Sequence, residues 1–216
     1  MHNIENILKQ LFKIMDRIKP QKPEFYEHLL QVMKYQGQYY AEDTVIYQIG
    51  EQVTRAMFIS EGFITRSSQI RKKKVLLNIY EKNEIKAGPD FMFNNKSEFL
   101  IEATAGTYIA FITYEQLKEV YQRFPEAQEL ATLIVSIHNL KDARIRGMLQ
   151  NKGRDLVYQF YKSYPDMTEP GAVLLDGMIA SFLRISERTL REHRAAHFAS
   201  GRLINPATLR VKKRIA

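Results

Sequence analysis

The sequence has no cysteine and no tryptophan, and only 10 of its 216 residues are glycine and 7 proline. Without thiols there are no disulfides, no thiolate-held iron–sulfur clusters and no cysteine-ligated zinc, which fits a cytoplasmic setting. Few glycines and prolines, with 45% hydrophobic and 26% charged residues, exclude wholesale disorder. Also missing is any apolar run near the roughly 20 residues that span a bilayer. The opening stretch MHNIENILKQLFKIMDRIK breaks its apolar residues with charges at helical spacing, so it reads as neither a signal peptide nor an anchor. No glycine-rich phosphate loop, no G-x-S-x-G and no carboxylate pair with a supporting histidine occurs. An enzyme is therefore not expected, nor is a resident cofactor or metal.

What is present is positive charge, unevenly placed. The net charge is +8, and residues 171–216 carry nine Lys/Arg against three acids. The other 170 residues are close to neutral. A local field of this sign suits a polyanion such as double-stranded DNA through counterion release, although such clusters also serve simply as solubilising surface.

Periodicity divides the chain. Residues 3–18 and 23–35 repeat apolar side chains at three- and four-residue steps (Ile4, Ile7, Leu8, Leu11, Ile14), broken by Pro20 and Pro23, which predicts two helices. From Gly37 to about Ile112, short β-branched and aromatic runs recur every 8–12 residues, the rhythm of an antiparallel sandwich or barrel. Tyr114 to Phe124 reads as a short helix, and residues 126–150 as a long one. In the long helix Leu130, Leu133, Ile137 and Leu140 step by 3, 4 and 3, the seam of a two-helix contact. A core helix within one chain is the alternative to that seam, since only about two heptads are visible. Ile134, Ile145 and Met148 form a neighbouring stripe that would face the β domain.

The stretch DGMIASFLRISERTLREHR (176–194) then sets two short helices about a corner. Asp176 and Ser186 are candidate N-caps. Ile179, Ala180, Leu183, Ile185 and Leu190 form the inward side, with small Ala180 at the close approach: a helix-turn-helix spacing. The second helix is then expected to present Glu187, Arg188, Arg191, Glu192 and Arg194 outward. Arg188 and Arg191 suit guanine edges, Ser186 and Arg194 phosphates, with Thr189 on the same surface. Arg184 stands at the corner, where a residue of positive φ is expected, at a cost of about 1 kcal/mol.

VIYQIGE followed by MFISEGFITR, the long helix at 126–150, GRDLVYQFYKSYP, and MIASFLRISERTLREHR together resemble the Crp/Fnr family of bacterial transcription regulators, especially the variety common in Bacteroidetes. The likeness covers about residues 25–197. It implies an α+β chain with an N-terminal antiparallel, cyclic-nucleotide-binding-like β-roll and flanking helices (1–125), a dimerisation helix (126–150) and a C-terminal winged helix-turn-helix domain (151–216). It also implies a homodimer on a two-fold operator, with half-sites about 34 Å apart, and contact with RNA polymerase. Cyclic-nucleotide binders of this family carry a Gly-Glu pair for the ribose and, some ten residues later, an Arg-Ser/Thr-Ala for the phosphate. Here Gly88 aligns with the glycine, but Pro89 follows it, and the arginine slot falls near Ser97 beside Glu98. Lys96 would be a substitute without the bidentate fork. Gly88, Asp90, Lys96, Ser97 and Glu98 are therefore the candidate effector residues, and an unknown small effector, or none, is expected rather than cyclic AMP.

His193 and His197 sit four apart, a spacing that pairs imidazoles on a metal, but no third ligand lies nearby. IRKKK (70–74) reads as a solvated hairpin or a second basic contact, and NPATLRVKKRIA as a strand or basic arm. Tyr39, Tyr40, Tyr80, Phe91 and Phe93 lie in strand-like runs and read as core or lining. The competing function is a ligand-sensing β-roll that signals to a protein partner, with a vestigial DNA-binding end.

Overall fold

The computed structural model describes residues 4–70, 73–169, 171 and 173–204. The chain divides into two compact units, 1–139 and 140–216. In the first, α1 (Ile4–Ile18) turns Ile7, Leu8 and Leu11 inward as the sequence stripe predicts, with Met15 buried beside them and Ile4 and Ile14 half-buried. Pro23 opens α2 (Pro23–Met33), where its missing N–H costs nothing, and Phe25, Leu29 and Met33 are buried.

Eight strands follow: β1 (Gly37–Tyr40), β2 (Thr44–Tyr47), β3 (Arg55–Glu61), β4 (Ile64–Ile70), β5 (Lys73–Tyr80), β6 (Ile85–Lys86), then a short helix α3 (Pro89–Met92), β7 (Leu100–Ala103) and β8 (Thr107–Thr113). They form two antiparallel four-stranded sheets, ordered β1-β8-β3-β6 and β2-β7-β4-β5. Neighbours in the chain thus often fall in different sheets, and the strands roll around a core that includes Phe58, Ile59, Ile64, Ile101 and Ile109. The β3–β4 turn needs glycine twice over. Gly62 has φ +75°, and any Cβ there would strike Thr107.

A capping box ends the β domain: Thr113 Oγ1 accepts from the Gln116 N–H, and the Gln116 side chain accepts from the Thr113 N–H, at the start of α4 (Tyr114–Arg123). α5 (Ala127–Met148) is a single 22-residue helix. In the second unit, α6 (Gly153–Ser163) buries Leu156, Val157, Phe160 and Tyr161. A 3-10 turn (Pro165–Met167) leads on to α7 (Asp176–Leu183) and α8 (Glu187–Ala199). α8 packs on both α6 and α7. Residues 205–216, read above as a strand or basic arm, lie outside the described residues.

Candidate nucleic-acid interface and effector sites

The α7–α8 pair is closed by local chemistry. Ile179, Ala180, Leu183 and Leu190 are buried and Ile185 is half-buried, as the spacing requires. Arg184 ends α7 in the left-handed region at φ 57°, the conformation anticipated for the corner, and its side chain is exposed. Ser186 caps α8: its Oγ accepts the Thr189 N–H at 3.0 Å and lies 2.7 Å from the Thr189 hydroxyl.

The outer face of α8 is less cationic than its arginine count suggests. Arg188 is 88% exposed in its side chain and donates to Glu192 at 2.8 Å, which holds its proton more tightly still. Arg191 is 60% exposed and bridges two carboxylates, Glu187 at 2.8 Å and Asp176 at 2.9 Å. Glu187 to Glu192 thus form two i,i+4 ion pairs in solvent, individually worth a few tenths of a kcal/mol.

Two residues are placed differently from the sequence reading. Asp176 does not cap α7; Leu175 holds the cap position, with no side-chain hydrogen bond. Arg194 does not face outward with Arg188 and Arg191 but is 5% exposed. One explains the other. Arg194 forks onto Asp176, donating at 2.7 and 2.9 Å, and also donates to the Tyr161 hydroxyl at 2.8 Å. Burial works against the guanidinium charge, yet the hydrogen bonds to Asp176 and Tyr161 leave its pKa raised. The hydrogen bond from Arg194, outweighing a partial desolvation, holds the Asp176 carboxyl below the usual range. His197 is also turned in, its Nε2 2.8 Å from the Arg154 carbonyl and its ring against Tyr158, so the His193–His197 pairing is not formed. Among the described residues there is no group of three or more His, Asp and Glu able to hold a metal.

The heptad stripe of α5 splits along its length. Leu130 is 2% exposed and belongs to the core of the first unit, Leu133 is half-buried, and Ile137 and Leu140 are 46% and 60% exposed. Ile134 packs against that core, while Ile145 and Met148 are buried in the second unit.

In the β-roll the charged residues that come together are mostly not those picked from the sequence. Gly88 and Asp90 begin α3. Lys96 bridges to Gln52 through the backbone and, like Glu98, stays exposed. Ser97 is buried but occupied, donating to the Phe99 carbonyl at 2.7 Å. The inward cations are Arg66 and Lys86. Strand pairing sets Arg66 opposite Asn78 and Ile101, on the face shared with buried Ile64 and Tyr80. Its guanidinium lies 4.8 Å from the Phe99 ring centre, and its Nε is buried without a hydrogen-bond partner. Lys86 is 6% exposed, with Nζ 5.8 Å from the centre of the Tyr80 ring. Burial drives its pKa down to about 8; Asp90 opposes that fall and Arg66 adds to it. Half-buried Arg66 and Asp90 thus act electrostatically on buried Lys86, and the Ser67 hydroxyl next to Arg66 in sequence is buried and unpartnered. A sequence signal for Arg66 existed: two residues beyond core Ile64 on a strand, it must face the same way.

Tyr40, Tyr80 and Phe91 are buried in the roll, as core or lining residues should be, whereas Tyr39 and Phe93 are 52% and 74% exposed. No helix among the described residues is long and apolar enough to cross a membrane.

No family model and no curated protein matches this chain. Solved structures do. The chain is similar to the c-di-GMP responsive global regulator CLP of Xanthomonas campestris, with 15% identity over 83% of this chain and 93% of that one and a TM-score of 0.61. It is similar to FixK2 of Bradyrhizobium japonicum at 14% identity, over 76% and 85% of the two chains, with a TM-score of 0.61. It also matches a cyclic nucleotide-binding domain from Methylobacillus flagellatus at 15% identity, over 68% and 83%, with a TM-score of 0.56. At these identities the likeness establishes the fold, a cyclic-nucleotide-binding architecture in α+β form.

Proposed function

We propose that the protein is a DNA-binding transcription regulator of the Crp/Fnr type, acting as a homodimer on a two-fold operator. The observation that carries this reading is α8: a helix fastened through Leu190 and Arg194 while Arg188, Arg191 and the Ser186–Thr189 end stay in solvent. A helix held this way enters a major groove with its N-terminal side chains at base edges. Arg188 and Arg191 are the guanine readers and Ser186 a phosphate contact. Arg194 is removed from the phosphate set and becomes the strut that fixes the reading helix. Glu187 and Glu192 hold the two arginines in register until DNA replaces them.

Ile137 and Leu140 supply the dimer contact, because they are large apolar side chains left in water along one side of α5. The effector is not cyclic AMP in this reading: Pro89 stands where a ribose-binding glutamate is required. Arg66 and Lys86 suit an anionic group of another kind in the roll. RNA polymerase is the natural further partner of such a regulator, and the cytoplasm its place.

A second reading has a specific observation behind it. The paired charges Glu187, Arg188, Arg191 and Glu192 sum to zero on the outer face of α8, which suits a sensor that signals to a protein and no longer reads DNA. A gel shift across 50–200 mM salt separates the two. A DNA reader loses affinity steeply with salt, and Arg188→Ala with Arg191→Ala abolishes its preference for native upstream DNA over random DNA while leaving the dimer intact. Absence of a shift, or a shift without preference for native DNA that these substitutions leave unchanged, favours the second reading.

A further inference from the structure

Between α1, α2, α4, the first half of α5 and strands β3 and β8 lies a cavity of about 100 Å³, walled almost wholly by apolar side chains. Folded cores leave few voids larger than a water molecule. An apolar void of this order stays dry, and one of roughly 150 Å³ is known to accept benzene. Four of its lining residues are methionines, Met15, Met33, Met57 and Met92, whose unbranched, polarizable side chains reshape around a guest.

The cavity has an outlet. Met92, Tyr121, Ala131 and Val135 line both it and an open hollow of about 430 Å³, to which Gln128, Thr132 and Ser136 add a polar rim. Thr132 and Ser136 donate their hydroxyl protons back to the helix carbonyls of Gln128 and Thr132, each at 2.9 Å, so toward the hollow they offer acceptor oxygens. Tyr121 adds a phenol hydroxyl, a donor at neutral pH, whose pKa burial pushes up to about 12. No Lys, Arg, Asp, Glu or His lines either space among the described residues.

We propose that the two spaces form a binding site for a small uncharged amphiphile. Its short alkyl or single-ring part fills the methionine-lined cavity, and its hydroxyl or carbonyl head meets Tyr121 and the α5 rim. The cavity is too small for a peptide segment, and the rim has no group to pair a charge. This site is separate from the interior of the β-roll and independent of DNA reading, so its test stands whether or not the regulator reading holds.

Calorimetric titration of the full chain with octan-1-ol and with benzyl alcohol, to their solubility limits, tests it. The expected result is saturable one-to-one binding that Ala131→Phe, which blocks the junction of the two spaces, weakens by about tenfold or more while the circular dichroism is unchanged. Tyr121→Phe should weaken either alcohol about fivefold, the worth of one hydrogen bond, yet leave cyclohexane binding as it was. Should Ala131→Phe fail to fold, Val135→Phe at the outlet makes the same test. Absence of saturable binding by both alcohols, or equal binding by the blocked variant, overturns the proposal.

Discussion

Each unit of the chain withdraws a cation from water, and the two are housed in opposite ways. Arg194 in the second unit is matched: a bidentate fork onto Asp176 and a hydrogen bond to Tyr161 return what burial removes, and its charge is held firmly. Lys86 in the first unit is not matched. It has the face of Tyr80, the field of Asp90 and the opposing field of Arg66, and burial wins, bringing its pKa to about 8. A satisfied buried cation serves to position its neighbours, here the helix that carries Arg188 and Arg191. An unsatisfied one is a standing cost, which a protein retains where a ligand or a switch will later meet it.

The sharpest way to break the comparison is to remove the match. Asp176→Asn leaves Arg194 buried without its counter-charge, and the expected loss is about 3–5 kcal/mol in urea unfolding of the second unit. The hydrogen bond from Arg194 depresses the Asp176 carboxyl, so its contribution is complete above the ordinary value of 3.8 and fades as pH falls through the lower folded value. The acid limb of the stability curve should therefore flatten in the variant. If Asp176→Asn unfolds with the parent midpoint, Arg194 is not the strut described here.

The converse substitution tests Lys86. Folding lowers this pKa from 10.5 to about 8, so the unfolded chain binds the proton more tightly and the charge destabilises the fold. That penalty is full below about pH 8 and vanishes as pH rises toward 10.5, which means stability should climb across that window. Lys86→Met should raise stability at pH 7 by on the order of 3 kcal/mol and remove the climb. A destabilised Lys86→Met protein would mean that Asp90 and Tyr80 hold the cation better than the geometry indicates.

The same contrast marks what the sequence discloses. The helix pair was legible because its determinants are local: Ala180, Leu183, Ile185 and Leu190 follow helical spacing, Ser186 begins the second helix, and the corner falls on Arg184. The β-roll rhythm was legible for the same reason, strand by strand. The inward turn of Arg194 was not, because it depends on Asp176 and Tyr161, 18 and 33 residues away, which only folding brings to it. Arg66 could have been found from its alternation with core Ile64, two residues before it on β4, whereas Lys86 was missed because β6 is only two residues long and shows no alternation. Linear spacing from Gly88 puts the cyclic-nucleotide cassette at Lys96 and Glu98, which the fold leaves in water. Leu130 met the heptad rule and was still claimed by the core, since helical spacing alone does not say which of two partners a face will find.

Arg184 supplies the smallest effect and the cleanest control. Like Arg194 and Lys86 it departs from an ordinary setting, but its departure lies in the backbone: φ is 57° and the side chain is exposed, so no buried charge is at stake. A left-handed conformation costs a non-glycine residue about 1–2 kcal/mol, part of which glycine returns as lost chain entropy. Arg184→Gly should therefore stabilise the second unit by roughly 0.5–1 kcal/mol, measured by thermal unfolding, with no change in the shape of the pH profile. A loss of stability instead would mean that the exposed guanidinium contributes more to the corner than its backbone strain removes. The rule that separates the two buried cations, burial weighed against partners, would then have to extend to a charge fully in water.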